Sequence, residues 1–316
     1  MSQRSQAFGI SPKLQEIICL VAQSVVFEEG ELLLNKLMGL SISAKQIQRV
    51  SERYGALLEE KEEKNIIEET GLKAQKENQL TYVMPDGSMI FTREEGWKEI
   101  KLGRVFSGEA ITTISKNRNQ ITDSLYVCHL GEHSHFLNKM ENHIERYTNK
   151  VCIADGAKWI WNWAQDRYPD MIQILDYFHA VEKLTEYARS QHPTEQAKTI
   201  WMEQQKQLLL TDKVADIIIA VEQTPTRTIE AQKSKDVLLT YYTNNKNRMM
   251  YQTYKNKGYL IGSGAIESAH RNVIQQRMKL SGQKWGKKGA QQIVNLRAYQ
   301  KSNMWQDVVD LIKLAA

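Results

Sequence analysis

The sequence predicts an α/β protein with additional all-helical parts. Between residues 80 and 130 the chain has short runs rich in Val, Ile, Thr and Tyr, which turn residues separate, as is typical of strands. From about residue 135 to residue 180, strand-like runs alternate with helical patterns, which indicates a central sheet covered by helices. The first 57 residues and residues 181–255 instead follow the helical period. The length of 316 residues allows two or three domains.

Composition is that of an ordinary globular protein. With 25% charged and 41% hydrophobic residues, the chain is neither fibrous nor wholly disordered. No apolar run approaches the roughly 20 residues that cross a bilayer, so we expect no membrane partner. The N-terminus lacks a signal pattern, and Cys19, Cys128 and Cys152 lack metal-ligand spacing, which favours the reducing cytoplasm.

Residues 1–57 predict three helices. The first follows the helical period through a set of apolar residues, namely Leu14, Ile17, Ile18, Val21, Val25 and Val26. The second covers about Glu28 to Met38, and Gly39 then provides a turn. Ser43 begins the third helix, with Gln46 three residues later as a capping box. This third helix is expected to bury Ile47 and Val50.

The free face of the third helix is polar and basic: Lys45, Gln46, Gln48, Arg49 and Arg53. A helix, a glycine turn and a capped helix of this kind resemble a helix-turn-helix, and Lys45, Gln46, Arg49 and Arg53 are the candidate DNA contacts. Docking on DNA and simple helix packing both remain open. The strongly charged residues 58–79 predict a solvated connecting helix.

The strand-like runs and helices then follow in order. Four segments, LTYVMPDGSMIF, WKEIKLGRVFSG, EAITTIS and ITDSLYVCHLG, predict strands, and about His135 to Tyr147 predicts a helix. KVCIADG, a tryptophan-rich helix, MIQILDYF and a helix near His179 continue the alternation. From about 180 to 255 the pattern is helical, with residues 224–226 as its clearest break. A final unit begins with GYLIGSGAIES.

Three acidic residues stand out as candidate catalytic groups. Asp86 in YVMPDGSM and Asp155 in VCIADGAK each precede a glycine after an apolar run, which predicts a carboxylate at the end of a strand. Asp-Gly is also an ordinary turn signal, and this reading stays open for each aspartate alone. Glu267 follows a glycine-rich loop and lies in the first turn of a helix that Ser263 could cap. His270 and Arg271 follow on the same helical face.

Two aspartates and a glutamate suit metal-dependent phosphoryl chemistry. Carboxylate oxygens are the ligands that Mg²⁺ or Mn²⁺ prefer, and they leave coordination positions for water and phosphate. Two such ions can activate a nucleophile and stabilise the leaving oxygen in phosphodiester cleavage. We expect Asp86 to bridge both ions, and Asp155 and Glu267 to bind one each.

These motifs resemble a known family. The series DGS, EGWKEIKLGRVF, IADGAKWIW, ILDYFHAVEKL and IGSGAIESAHRNVIQQRMKLSGQKW, over about residues 85–300, is similar to the ISKra-type insertion-sequence transposases. The resemblance implies a DDE enzyme with a ribonuclease H-like mixed-sheet core, in which Asp86, Asp155 and Glu267 match the triad. It further implies nicking at element ends and attack of the freed 3′-hydroxyl on target DNA.

The resemblance also implies how the domains are arranged. The chain would begin with a helix-turn-helix unit (1–57) and a linker helix (58–79). The catalytic core would be split into 80–180 and 256–303 by an all-helical insertion (181–255), which explains the long interval between Asp155 and Glu267. The resemblance implies that the partners are double-stranded DNA, at element ends and target, and two Mg²⁺ or Mn²⁺ ions. It also implies a homodimer or larger synaptic complex that is associated with the nucleoid in the bacterial cytoplasm. A truncated or inactive transposon-derived DNA-binding protein is the alternative.

The C-terminal segment is strongly basic. Residues 268–316 contain nine Lys and Arg against two Asp, while the whole chain carries a net charge of +5. Such a block is expected for a polyanionic partner, although a solvated basic helix is the simpler reading. The candidate phosphate contacts are Arg277, Lys279, Lys284, Lys287 and Lys288.

Other features allow two readings each. Asp176 and His179 either cap a helix and satisfy each other, or support the catalytic site or a DNA strand. His270 and Arg271 are further candidates for such support. Among the tryptophans, Trp159 and Trp163 favour core packing, and Trp201 is a weak candidate for holding a base by resemblance to related enzymes. His129, His133 and His135 match no tetrahedral metal site.

Overall fold

The computed structural model describes residues 8–64, 79–115, 118–192 and 194–315. The chain divides into two compact units: the first comprises Met1–Asn149 with Ala265–Ala316, and the second Lys150–Gly264. Both helices and strands occur in each unit, which confirms the α/β class. None of the helices in the described ranges is long and apolar enough to span a membrane.

The first unit begins with three helices, as predicted. Helix α1 is Pro12–Ser24, α2 is Phe27–Met38 and α3 is Ala44–Glu63. Gly39 ends α2 in the left-handed conformation, with φ of +65°, and the Ser43 hydroxyl accepts the Gln46 N–H at 3.3 Å. Both expected helix boundaries are therefore confirmed.

Helix α3 is longer than predicted, because Leu58 and the charged residues 59–63 continue it instead of starting a separate linker. Glu62 is buried and lies 3.1 Å from Lys139 Nζ, so this part of the charged stretch is packed. Burial raises the pKa of Glu62, and Lys139 opposes that rise. Residues 65–78, which contain most of the expected linker, lie outside the described residues.

An antiparallel sheet forms the centre of the first unit. Strand β1 is Thr81–Thr92, β2 is Gly96–Ser107 and β5 is Leu125–Leu130, and β2 pairs with both of the others. Two short strands, β3 (Ile111–Ser115) and β4 (Arg118–Ile121), form a separate hairpin. Helix α4, His133–Ile144, follows β5.

The C-terminal part of the first unit is helical. It consists of α11 (Gly264–Ala269), a π-helical turn (His270–Gln275), α12 (Gln276–Met278), α13 (Lys287–Lys301) and α14 (Trp305–Leu314). Residues 290–299 of α13 are all buried. The alternative reading of a solvated basic helix therefore does not fit residues 290–299: α13 is a core helix that packs on α3 and β5.

The second unit combines two parallel strands with helices. Strands β6 (Lys150–Ala154) and β7 (Ile172–Leu175) pair in parallel, and α5 (Lys158–Arg167) connects them. The helices α6 (Tyr177–Gln191), α7 (Glu195–Leu209), α8 (Val214–Gln223), α9 (Ile229–Asn245) and α10 (Tyr251–Asn256) follow. The break expected at residues 224–226 separates α8 from α9.

Candidate active site

Asp86 does not end a strand, so that part of the prediction is wrong. It lies in the middle of β1, opposite Leu102, and the hairpin stays in register from Thr81 to Thr92. The chain turns only after Thr92, because the long β2 pairs with β1 over its full length. A Cβ at Gly87 would meet only the Glu99 side chain, whose flexible end can move aside.

Both carboxylate oxygens of Asp86 have neighbours in the first unit. Oδ1 accepts the N–H of Gly87 at 2.7 Å, and Oδ2 lies 3.1 Å from Nε2 of His270. His270 is 5% exposed, and neither ring nitrogen makes a hydrogen bond with a described residue, so the pair is an ion-pair contact when the imidazole is protonated. The structure therefore brings Asp86 and His270 together, as no pattern along the chain could show.

Glu267 lies on the helix that reaches Asp86. It is exposed in α11, while its neighbours Ile266 and Ala269 are buried. Three residues later the helix changes to π-helical geometry at His270, a feature that is frequent at functional sites. Arg271 is exposed on the same turn. Glu267 and His270 thus share a helical face, and His270 on that face contacts Asp86.

Arg104 is a buried cation that sequence reasoning missed. Its Nη1 donates to the carbonyl of Ala265 at 2.7 Å and its Nε to the Ser124 hydroxyl at 2.9 Å. Burial lowers the pKa of Arg104. The guanidinium fixes the start of α11 to β2, so it helps to position Glu267. An arginine within a strand carries no sequence signal for such a role.

Most of the basic candidates lie on the surface around β1. Lys279 Nζ donates to the Ser88 hydroxyl at 3.0 Å, two residues after Asp86. Lys284 and Lys288 are exposed. Lys287 is also exposed but lies 2.7 Å from a Glu95 carboxylate oxygen, so an acidic partner distant in sequence offsets it.

Arg277 is not a surface residue, and the phosphate contact predicted for it does not fit its position. It is 1% exposed, with its guanidinium 5.1 Å from the Phe27 ring and 4.9 Å from the Trp285 ring. Its Nε donates to the Ala22 carbonyl, and burial lowers its pKa to about 10. Arg297, part of the same basic count, is likewise buried and bonds to carbonyls of Val273, Gln23 and Asn272.

Asp155 belongs to the second unit and directly follows β6, as predicted. Its Oδ1 accepts the N–H of Ala157 at 2.9 Å. The Tyr241 ring of α9 lies on Gly156, and a Cβ at that glycine would come within 2.9 Å of Tyr241 Cζ. Burial raises the pKa of Tyr241, and the nearby Asp155 carboxylate adds to the rise. The glycine after Asp155 is therefore required by Tyr241, which the sequence did not reveal.

Asp176 and His179 form a hydrogen-bonded cluster in the second unit. Asp176 is fully buried at the start of α6: Oδ1 accepts the Phe178 N–H at 2.7 Å and Oδ2 lies 3.0 Å from His179 Nδ1. Ser263 donates its hydroxyl and its N–H to the same Oδ2. Burial alone would raise the pKa of Asp176, but these hydrogen bonds hold it below its ordinary value.

The helix-turn-helix candidates show the expected exposure. Lys45, Arg49 and Arg53 are exposed and Gln46 is partly exposed on α3, while Ile47 and Val50 are fully buried. The opposite face of α3 packs on α13: a Cβ at Gly55 would lie 2.8 Å from the Gln292 Cα, and Asn295 donates to the Gly55 carbonyl at 3.0 Å. Helix α3 is thus a core element with one free basic face.

The tryptophans and histidines flagged in the sequence are mostly packed. Trp163 is buried and Trp159 is half-buried, and Trp201 lies against the rings of Tyr187 and His192. His129 and His135 stack at 5.5 Å. Across the described ranges, no group of three or more His, Cys, Asp or Glu is placed to hold a metal ion.

No protein-family model matches the chain. The chain is similar to a protein of Streptococcus gallolyticus described as "UPF0236 protein in vanSb 3'region", with 22% identity over 317 residues that cover 94% of this chain. It spans 65% of the length of that relative. The similarity extends over both compact units but assigns no activity.

Proposed function

We propose that the chain is a DDE-type DNA transposase of an insertion sequence, which hydrolyses phosphodiester bonds at element ends and joins the freed 3′ ends to target DNA. The observation that carries the proposal is the contact between Asp86 and His270. It brings the helix of Glu267 to the strand of Asp86 although the two are distant in sequence.

The pairing of the strands also supports the proposal. A ribonuclease H-like core has three antiparallel strands followed by parallel strands with helical connections. The first unit has the antiparallel set β5, β2 and β1, and the second has the parallel pair β6 and β7 joined by α5. The proposal includes such a core, the N-terminal helix-turn-helix and the helical insertion.

The donor chemistry of the three acids fits divalent ions. Asp86, Asp155 and Glu267 offer hard oxygen ligands of the type that Mg²⁺ or Mn²⁺ prefer. Two such ions, when bound, would activate the attacking oxygen and stabilise the leaving oxygen. Asp86, Asp155 and Glu267 would together hold the ions.

The chain's own residues orient these ligands. The Gly87 N–H holds one oxygen of Asp86, and the Ala157 N–H holds one oxygen of Asp155. His270 contacts the second oxygen of Asp86, and Arg104 anchors the helix of Glu267. Outer contacts of this kind restrict ligand rotation and raise metal affinity. The exposed Lys279 and Lys284 would bind DNA phosphates beside β1, the exposed Lys288 would bind a phosphate near Arg49 and Arg53 of α3, and a homodimer would hold two element ends.

The test is metal-dependent nicking of a DNA duplex that carries the element end. We expect the wild type to nick it with Mg²⁺ or Mn²⁺, and Asp155→Asn to lose at least about 1,000-fold in rate while still binding the DNA. Asp166→Asn, in an exposed turn of α5, is the matched control and should keep the wild-type rate. Equal cleavage by Asp155→Asn would contradict the proposal. Binding without cleavage by the wild type would favour a DNA-binding protein instead.

A further inference from the structure

A large cleft lies within the second unit between α5 and α9. Its volume is about 930 Å³, near the upper end of the roughly 300–1,000 Å³ typical of ligand sites. One wall comes from Lys158, Trp161 and Asn162 of α5, and the other from residues 229–245 of α9. The functional assignments above use none of these walls.

The cleft begins at the proposed catalytic acid. Gly156, the residue after Asp155, lines it together with Tyr241, whose ring packs on that glycine. A ligand in the cleft therefore extends away from Asp155 along α9. This position suits the strand whose phosphodiester bond is cut.

The charges of the cleft favour a polyanion. Lys158, Lys233 and Arg248 line it against a single acid, Asp236. Lys158 and Lys233 are exposed at opposite walls. Two cations that face one another across a channel suit a phosphate backbone running between them.

The remaining lining suits nucleobases. Ile229 and Val237 are 91% and 49% exposed on α9, so apolar surface is open to the cleft. Asn162 and Asn244 offer amide donors and acceptors of the type that pair with base edges. Arg248 lies 4.7 Å above the buried Trp161 ring, and the planar guanidinium together with Tyr241 supplies flat surface. Flat side chains within a basic channel are typical of sites for unpaired strands.

We propose that this cleft binds an unpaired segment of a DNA strand, with its backbone between Lys158 and Lys233 and its bases against Val237 and Tyr241. The inference rests on the proposed function for the choice of DNA as the strand. It adds a binding site that the DDE triad and the basic residues around β1 do not provide.

The first test measures binding of a fluorescein-labelled single-stranded oligonucleotide to the full chain in EDTA, as a function of salt. We expect the double variant Lys158→Gln/Lys233→Gln to bind about tenfold more weakly. Two lost phosphate contacts should lower the slope of log K against log salt by about 1.4. Lys213→Gln, an exposed lysine of the same unit outside the cleft, is the matched control and should leave affinity and slope unchanged.

The second test locates the strand. A 4-thiothymidine oligonucleotide is photocrosslinked to the wild type, and we expect crosslinked peptides from residues 158–162 and 229–248. Crosslinks found only elsewhere, or equal losses in the Lys213 control, would overturn the inference. Because binding is measured without metal, the two proposals can fail separately. If the cleft variant loses oligonucleotide binding but the wild type does not cleave DNA, only the proposed function is refuted. If the wild type cleaves DNA but the cleft variant binds the oligonucleotide as well as the wild type does, only the cleft proposal is refuted.

Discussion

Among single residues, the buried His143 makes the stability of the fold depend on pH. His143 is 7% exposed on α4, and burial, with Arg146 and Lys139 nearby, lowers its pKa to about 4 from an ordinary 6.5. The unfolded chain therefore takes up the proton first. The stability that neutral His143 contributes is complete above pH 6.5 and is lost as the pH falls toward 4.

We predict that the free energy of unfolding of the wild type falls by about 1–2 kcal/mol more between pH 7 and pH 5 than that of His143→Gln. Denaturant unfolding at both pH values measures this. Parallel pH profiles for the two proteins would show that His143 is not held neutral.

The pKa of Asp176 is also lowered, but because Asp176 is an acid, the lowered pKa means that the fold favours its charged form. Its pKa lies below the ordinary 3.8, so the stability it contributes is present above that value and is lost only as the pH falls below it. We predict that Asp176→Asn lowers the free energy of unfolding by about 1–3 kcal/mol at pH 7, because it removes a charged acceptor from buried donors. The loss should shrink toward pH 3, which thermal melts of both proteins can measure.

At the scale of elements, the crossing of α3 and α13 depends on a glycine. A Cβ at Gly55 would meet the backbone of Gln292, which cannot move independently of its helix. We predict that Gly55→Ala lowers the free energy of unfolding by about 2 kcal/mol or more. Gly289→Ala on α13 is the matched control: the new Cβ would meet only the flexible end of Glu52, so we expect no loss and up to about 1 kcal/mol of gain. Equal effects would contradict this packing.

Elements with a local signal could be predicted from sequence. Helix α3 begins where Ser43 caps it, and β6 ends just before Asp155, because capping and strand termination depend on neighbours in the chain. The position of Asp86 could not be predicted, since pairing with the distant β2 overrides a local Asp-Gly turn signal. Neither could the burial of Arg277, whose aromatic partners Phe27 and Trp285 come from two other segments.

For the whole molecule, position matters more than the charge count. Of the basic C-terminal residues, Arg277 and Arg297 are interior, whereas Lys279 and Lys284 are exposed beside β1. We predict that Lys279→Gln/Lys284→Gln weakens binding to duplex DNA and lowers the slope of log K against log salt by about 1.8. Lys313→Gln, exposed at the end of α14, should change neither, as fluorescence anisotropy at several salt concentrations would show.

The central claim is that Asp86, Asp155 and Glu267 bind divalent ions for DNA cleavage. A cysteine thiolate is a softer ligand than a carboxylate, and it binds Mg²⁺ poorly but accepts Mn²⁺ more readily. The decisive measurement is the nicking rate of Asp155→Cys in Mg²⁺ and in Mn²⁺, beside Asp166→Cys as control. We predict that Asp155→Cys is inactive in Mg²⁺ and regains activity in Mn²⁺, while the control is active in both. A wild-type rate for Asp155→Cys in Mg²⁺ would contradict the account.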